Sequence, residues 1–143
     1  VFHNTALQAT GSGATSGLGA GLGLAGNTGQ ALTNTVSRNN IFHIWKGTWP
    51  SISQTSGGNG NDVNYDLYNG NLDLTGEANG VRGTPVYASG HGPASGAGGN
   101  YQLAPTSPGY GRGLRINNFN DDVAAPDMGA HQSGRPAMRF GIQ

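Results

Sequence analysis

The chain's single lysine, Lys46, stands among His43, Trp45 and Trp49, with Arg38 a short way upstream. One chemistry for such a set is a basic side chain flanked by rings that stack on sugars. The same residues also describe a solvated loop lysine beside two anchoring tryptophans. Tyr65, Tyr68, Tyr87, Tyr101 and Tyr110 extend the aromatic set. Of these, Trp45, Trp49, Tyr65 and Tyr68 are the candidates for a carbohydrate-binding strip, against the alternative that aromatics in strands are half-buried packing. A second group, Asn118, Asn120, Asp121 and Asp122, offers oxygen ligands of the kind calcium takes. Asn120, Asp121 and Asp122 are its core, but their spacing lacks the D-x-D-x-D-G pattern of an EF-hand loop. As the two carboxylates of a glycosidase, Asp121 and Asp122 are disfavoured, because adjacent side chains point apart.

Other chemistries lack their residues. His3, His43, His91 and His131 have no zinc spacing, and the chain has no cysteine, which removes disulfides, thiolate metal sites and cysteine nucleophiles. There is no G-x-S-x-G and no P-loop. Gly21, Gly23 and Gly26 spell G-x-G-x-x-G inside a Gly-rich run, with no apolar strand before it and no amphipathic helix after it. Seven basic and seven acidic residues give zero formal charge, so nothing steers the chain to nucleic acid or an anionic membrane. No apolar run is long enough for a membrane-spanning helix. No catalytic residues and no cofactor are assigned; calcium stays the one open metal.

The elements that must position these residues are short strands. Of 143 residues 27 are glycine, and asparagine is abundant, which suits strands joined by tight turns needing positive φ and disfavours a helical bundle. No long window carries apolar residues at helical spacing. Val1 to Leu7 alternates as a strand would, and its His-Asn-Thr echoes Thr33-Asn34-Thr35, a faint repeat of about 30 residues, within the solenoid range. Residues 10–29 form a low-complexity Gly-rich segment, expected to be a loop or else a flat surface for a neighbouring chain; Leu18, Leu22 and Leu24 are too few to make a core. Residues 30–99 are expected to hold the strand-rich coils with their long loops. Ala31, Leu32, Val36, Ile41, Phe42 and Ile44 are the inward-facing candidates, and Asn34, Asn39 and Asn40 are structural, since asparagine tolerates left-handed corners and bonds to the corner above or below. Lys46 to Asn61 reads as a loop. In residues 100–132, Tyr101 and Leu103 alternate as a strand that Pro105, Ser107 and Pro108 stop, and Asp127 is placed to accept backbone N–H groups. Residues 133–143 are a tail with Met138, Phe140 and Ile142 in strand-like alternation.

Several of these pieces resemble parts of secreted right-handed parallel β-helix proteins of the pectate-lyase-like superfamily. Tyr101, Leu103, Ser107 and Pro108, followed by Pro126-Asp127-Met128-Gly129-Ala130-His131-Gln132, resemble the family's closing motif. Asn39-Asn40-Ile41-Phe42, Tyr65-Asp66-Leu67-Tyr68-Asn69-Gly70 and Gly83-Thr84-Pro85-Val86-Tyr87 resemble its coil segments in the expected order, with Asp66 where the family has asparagine. The resemblance runs from about Thr33 to Gln132. It implies an all-β right-handed solenoid, consisting of about three last coils and a C-terminal closing segment in one domain, 1–143. It implies a capped C-terminal end and an uncapped end at Val1, on which upstream coils or another copy would stack.

The expected function is a structural or adhesive, self-assembling, extracellular or cell-surface segment, since repetitive strand stacking can stabilise an exported chain without disulfides. The first residue, Val1, is consistent with a processed product or a fragment. One alternative is the C-terminal part of a polysaccharide lyase or glycoside hydrolase acting on acidic polysaccharide. In such lyases a Lys or Arg base removes the proton beside a uronate carboxylate, a role Lys46 would have to take although this part of the chain resembles the last coils rather than the catalytic middle ones. The other alternative is a carbohydrate-binding module.

Overall fold

Ile41-Phe42 and Leu67-Tyr68 put two large apolar residues side by side, a pattern that suits strands covered on both faces rather than strands with one wet side. The computed structural model describes residues 1–7, 22–24, 32–44, 48–54, 58–73, 77–93 and 100–136. It is all-β with parallel sheets, and no α-helix occurs among the described residues. Nine short strands are present there: β1 (Thr5–Leu7), β2 (Leu22–Gly23), β3 (Val36–Ser37), β4 (Ile41–His43), β5 (Pro50–Ser53), β6 (Asp62–Val63), β7 (Leu67–Tyr68), β8 (Asn71–Asp73) and β9 (Val81–Arg82).

They pair in parallel into a four-stranded sheet β1-β4-β7-β9, a three-stranded sheet β2-β5-β8 and a two-stranded sheet β3-β6, which Phe2 extends through a parallel bridge to Arg38. The chain visits the sheets in a repeating order: β3, β4, β5, then β6, β7, β8. Phe42, Tyr68, Ile52, Val63 and Leu24, contributed by or beside all three sheets, form one buried cluster between them, with Ala6, Leu22 and Leu72 packed against it. Ile41 and Leu67 face the opposite side of the four-stranded sheet and are buried with Leu103 and Met128. That second cluster explains the paired apolar residues: each face of this sheet has its own cover.

Several expectations are corrected. Leu24 is fully buried in the inner cluster of its own chain, and β2 runs through the Gly-rich segment, so part of it is core and not loop. β5 lies inside the stretch expected to be a loop; Ile52 and its small serine neighbours are buried there. Leu32 and Val36 are exposed, at 49% and 39%, while Ser37 is buried in their place. The echo of His3-Asn4-Thr5 is not Thr33-Asn34-Thr35 but Asn39-Asn40-Ile41, because Thr5 is level with Ile41 and Ile41 with Leu67. The four-stranded sheet has four levels, one more than expected. Tyr101 and Leu103 make no parallel strand; Leu103 forms one antiparallel bridge to Tyr87. The residues 100–132 do not simply close the last level. They run along the outer face of the four-stranded sheet, from Pro108 against Gly83 beside β9 up to Gly129 against Thr5 and Ile41 of β1 and β4. Trp45, Lys46, Met138, Phe140 and Ile142 lie outside the described residues.

Candidate functional site

The first three levels of the four-stranded sheet, β1, β4 and β7, are entered through the same two-residue corner. His3, Asn39 and Tyr65, which are in register, have φ of 49°, 58° and 61°, a left-handed backbone that asparagine tolerates best among the three. The residue after each one carries a hydrogen-bond ladder. The Asn40 carboxamide oxygen accepts the Asn4 N–H at 2.9 Å, and the Asp66 carboxylate accepts the Asn40 N–H at 2.7 Å. Glu77 Oε1 accepts the Asp66 N–H at 2.8 Å and ends the series. Asn40 and Asp66 are fully buried, whereas Asn4 is exposed. Among the described residues nothing donates to Asn4 Oδ1. The ladder therefore stops at Glu77, whose Oε2 is buried without a partner among the described residues, and is open to the outside at Asn4.

The backbone agrees. In a parallel ladder alternate residues turn their amide groups to opposite sides. Asn4 O accepts the Ile41 N–H at 2.8 Å, so Thr5 and Leu7 turn theirs away from β4, to the side where no described strand pairs with β1. Phe2 and Phe119, exposed at 39% and 58%, touch beside this edge with ring centres 6.2 Å apart.

A cleft opens next to the same edge. It is lined by His3, Phe119, Asn120, Ala130 and Gln132, has a volume of about 330 Å³ and continues past Asp122 and Arg135 as a second space of about 250 Å³. His3 stacks on Phe119 at 5.3 Å. Its Nδ1–H donates to the Gly129 carbonyl at 3.1 Å, and its Nε2 accepts from the Asn39 and Asn120 amides at 2.9 and 2.7 Å. This tautomer is required because the Gly129 carbonyl can only accept. Burial lowers the His3 pKa, only partly offset by the Gly129 carbonyl and the Asp127 carboxylate. The Gln132 amide is bonded to both Asp127 N–H and Asp127 O, and Asn120 also serves Ile116 and Leu114. The amides that line the cleft are thus spent on the protein itself. What the cleft offers a guest is an apolar wall of Phe119 and Ala130.

Of the residues expected to be structural, Asn39, Asn40 and Asp127 lie at this site, and Asn34, Ser107 and Pro108 make their contacts elsewhere. Asn39 presents its carboxamide to Leu114 as a strand would, accepting the Leu114 N–H and donating to the Leu114 carbonyl, each at 2.7 Å, while its own carbonyl accepts the Gly129 N–H at 2.6 Å. Asn34 makes a second left-handed corner above Gly60, φ 73°, where any Cβ would collide with the Asn34 oxygen. Ser107 accepts the Val86 N–H through its hydroxyl at 3.2 Å, and Pro108 packs on Gly83. Asp127 is buried and its two oxygens accept the N–H groups of Gly111 and Ser133, both at 2.7 Å.

The other candidates are not gathered. Tyr68 packs in the inner cluster and Tyr65 on the outer one, on opposite faces of one sheet, and Trp49 precedes β5 in a different sheet, so these three form no strip. Trp45 and Lys46 lie outside the described residues. His43 Nδ1 and the Tyr87 hydroxyl are hydrogen-bonded at 3.0 Å; burial lowers the histidine and raises the phenol, so both stay neutral. Asn120 points inward to His3, Asp121 accepts the Asn118 N–H, and Asp122 pairs with Arg135, so the three diverge rather than share a cation. Among the described residues no group of three or more His, Asp or Glu side chains is placed to hold a metal, and no helix is long and apolar enough to cross a membrane. The sequence reading missed His3 and Phe119; the one signal for His3 was the in-register repeat of His3-Asn4 with Asn39-Asn40, hidden by a spacing of 36 residues above and 26 below, and the repeat carries none for Phe119.

No family model, curated protein or solved structure matches this chain.

Proposed function

We propose that this chain is a structural segment of a right-handed parallel β-helix whose role is to be extended by a further strand layer at the β1 end. The repeating visit to three sheets around one core supports reading each pass as a coil. The pieces Asn39-Asn40-Ile41-Phe42 and Tyr65-Asp66-Leu67-Tyr68, both likened to coil segments of pectate-lyase-like proteins, are level with one another, which supports that kinship. The observation that carries the functional reading is the open ladder: Asn4 stands where Asn40 and Asp66 stand, with an acceptor, an unpaired strand edge and two exposed phenylalanines beside it. Further strands of the same protein or another copy of the chain are the partners of this edge, and an adhesive or scaffolding role at a cell surface goes with them. A base and sugar-stacking rings brought together in one groove would have favoured the lyase; the described aromatics are divided between core faces instead. Light scattering on the purified chain tests the reading. Stable association supports it, and a monomer whose Thr5 and Leu7 amides are protected from exchange, the edge being already covered, sinks it.

A further inference from the structure

The two ends of the sheet stack differ in kind. At the β1 end the outermost level carries Phe2, Thr5 to Leu7 and Leu22, exposed or half-buried, with Phe119 beside them. At the opposite end the edge strands are β9, β8 and β6, and they carry Arg82, Asn71, Asp73 and Asp62. Arg82 bonds to Asn71 and Asp62 to Arg38, so these polar groups are tied within the chain. β9 is only two residues long, and Pro85, which has no N–H, follows it. Short, charged, proline-flanked edges are how sheets avoid pairing. The ladder of corner side chains also stops at this end, at Glu77, whose Oε2, unpartnered among the described residues, is buried and so is not presented to a neighbour.

A filament needs two different sticky surfaces, one at each end. A chain with a single sticky end and no further strand of its own on that edge pairs it with the same end of another copy, which makes a closed twofold pair. Resting on the reading above, we propose that two copies of this chain dock head to head across a twofold axis, β1 beside the partner's β1, with each Phe119 entering the other's cleft beside His3. The twofold makes the two β1 strands antiparallel, which lets Thr5 and Leu7 exchange their outward-facing amide groups with the partner edge. The cleft suits an aromatic side chain, since its amides are already bonded internally and its remaining wall is apolar. Charge does not oppose the contact: Asp122 and Arg135 neutralise one another at the rim, and the chain as a whole has no net charge.

The test is light scattering with sedimentation velocity on the whole 143-residue chain and on three variants, each first checked for native circular dichroism. The unmodified chain is expected at twice its 14.5 kDa mass, without larger species. Leu7→Pro removes an outward donor without touching a bond to β4, and Phe119→Lys puts a charge into the partner's cleft; either should weaken the dimer at least tenfold. Val86→Lys, an exposed site beyond β9, should leave it unchanged. If Leu7→Pro does not fold, Phe119→Lys decides. Open-ended oligomers, or dissociation by Val86→Lys, would overturn the head-to-head geometry while leaving the scaffold reading in place. A dimer indifferent to Phe119→Lys would overturn the insertion of that ring. A monomeric unmodified chain would overturn the docking, and would remove the reading it rests on as well if its Thr5 and Leu7 amides were protected from exchange.

Discussion

Asn39 does four things at once. Its left-handed φ turns the corner into β4, its carboxamide pairs with Leu114, its carbonyl takes the Gly129 N–H, and its Nδ2 reaches His3. Asn39→Ala keeps none of the side-chain bonds and strains the backbone, leaving the half-buried Leu114 N–H unpaired while Asn120 still serves the Leu114 carbonyl; we expect a loss of about 3 kcal/mol in urea unfolding. Asn39→Gly relieves the backbone only, so it should cost roughly 1 kcal/mol less. Titration has two opposed sources. His3, His43 and His131 are held neutral by burial, with folded pKa values below the ordinary 6.5. Their contribution to stability is complete above about pH 6.5 and is lost as pH falls through the lower folded values. Glu77 is the reverse: burial, with Asp66 nearby, pushes its carboxyl from 4.5 up to about 7. Its contribution is complete below pH 4.5 and is lost as pH rises to about 7. Glu77→Gln keeps an acceptor for the Asp66 N–H and removes the charge. It should raise stability at pH 8 by about 1 kcal/mol, discounted for partial solvation, and leave only the acid-side loss in unfolding curves taken from pH 4.5 to 8.

The stretch 100–136 behaves as an element of its own although it contains no strand of the sheets. It is fastened by Gly129, whose φ of 99° only glycine adopts without strain and whose missing Cβ leaves room for Ile41. Gly129→Ala brings a methyl group to within 2.4 Å of the Ile41 Cδ1, and should cost about 2 kcal/mol or more while loosening the whole stretch. Amide exchange is the direct readout: protection at Leu114 and Met128 should fall further than protection at Ile52. This element was half legible in the sequence. Pro126-Asp127-Met128-Gly129 announced a fixed turn, and Asp127 accepts backbone N–H groups as its type suggests. Its place on the outer face of the sheet was not legible, because burial of Met128 against Ile41 and Leu67 depends on partners far away in the chain.

At the scale of the molecule, stability is shared between a core inside the sheets and a second one outside the largest of them. If the β1 end is satisfied by another copy, association and folding are linked by mass action. The melting temperature should then rise by several degrees over a hundredfold increase in protein concentration. In Phe119→Lys it should be independent of concentration.

Composition and short motifs were enough to specify strands, tight turns, glycine or asparagine corners and the absence of thiol chemistry, because these follow from the backbone preferences and side-chain chemistry of individual residues. They did not specify which residues are level with one another. Register here is set by contacts between residues 26 and 36 positions apart, through loops of unequal length, so no fixed period survives in the sequence. That is why β2 and β5 were taken for loops, why Leu24 was not counted as core, and why the open end at Asn4 emerged only when Asn4, Asn40 and Asp66 were seen as one ladder.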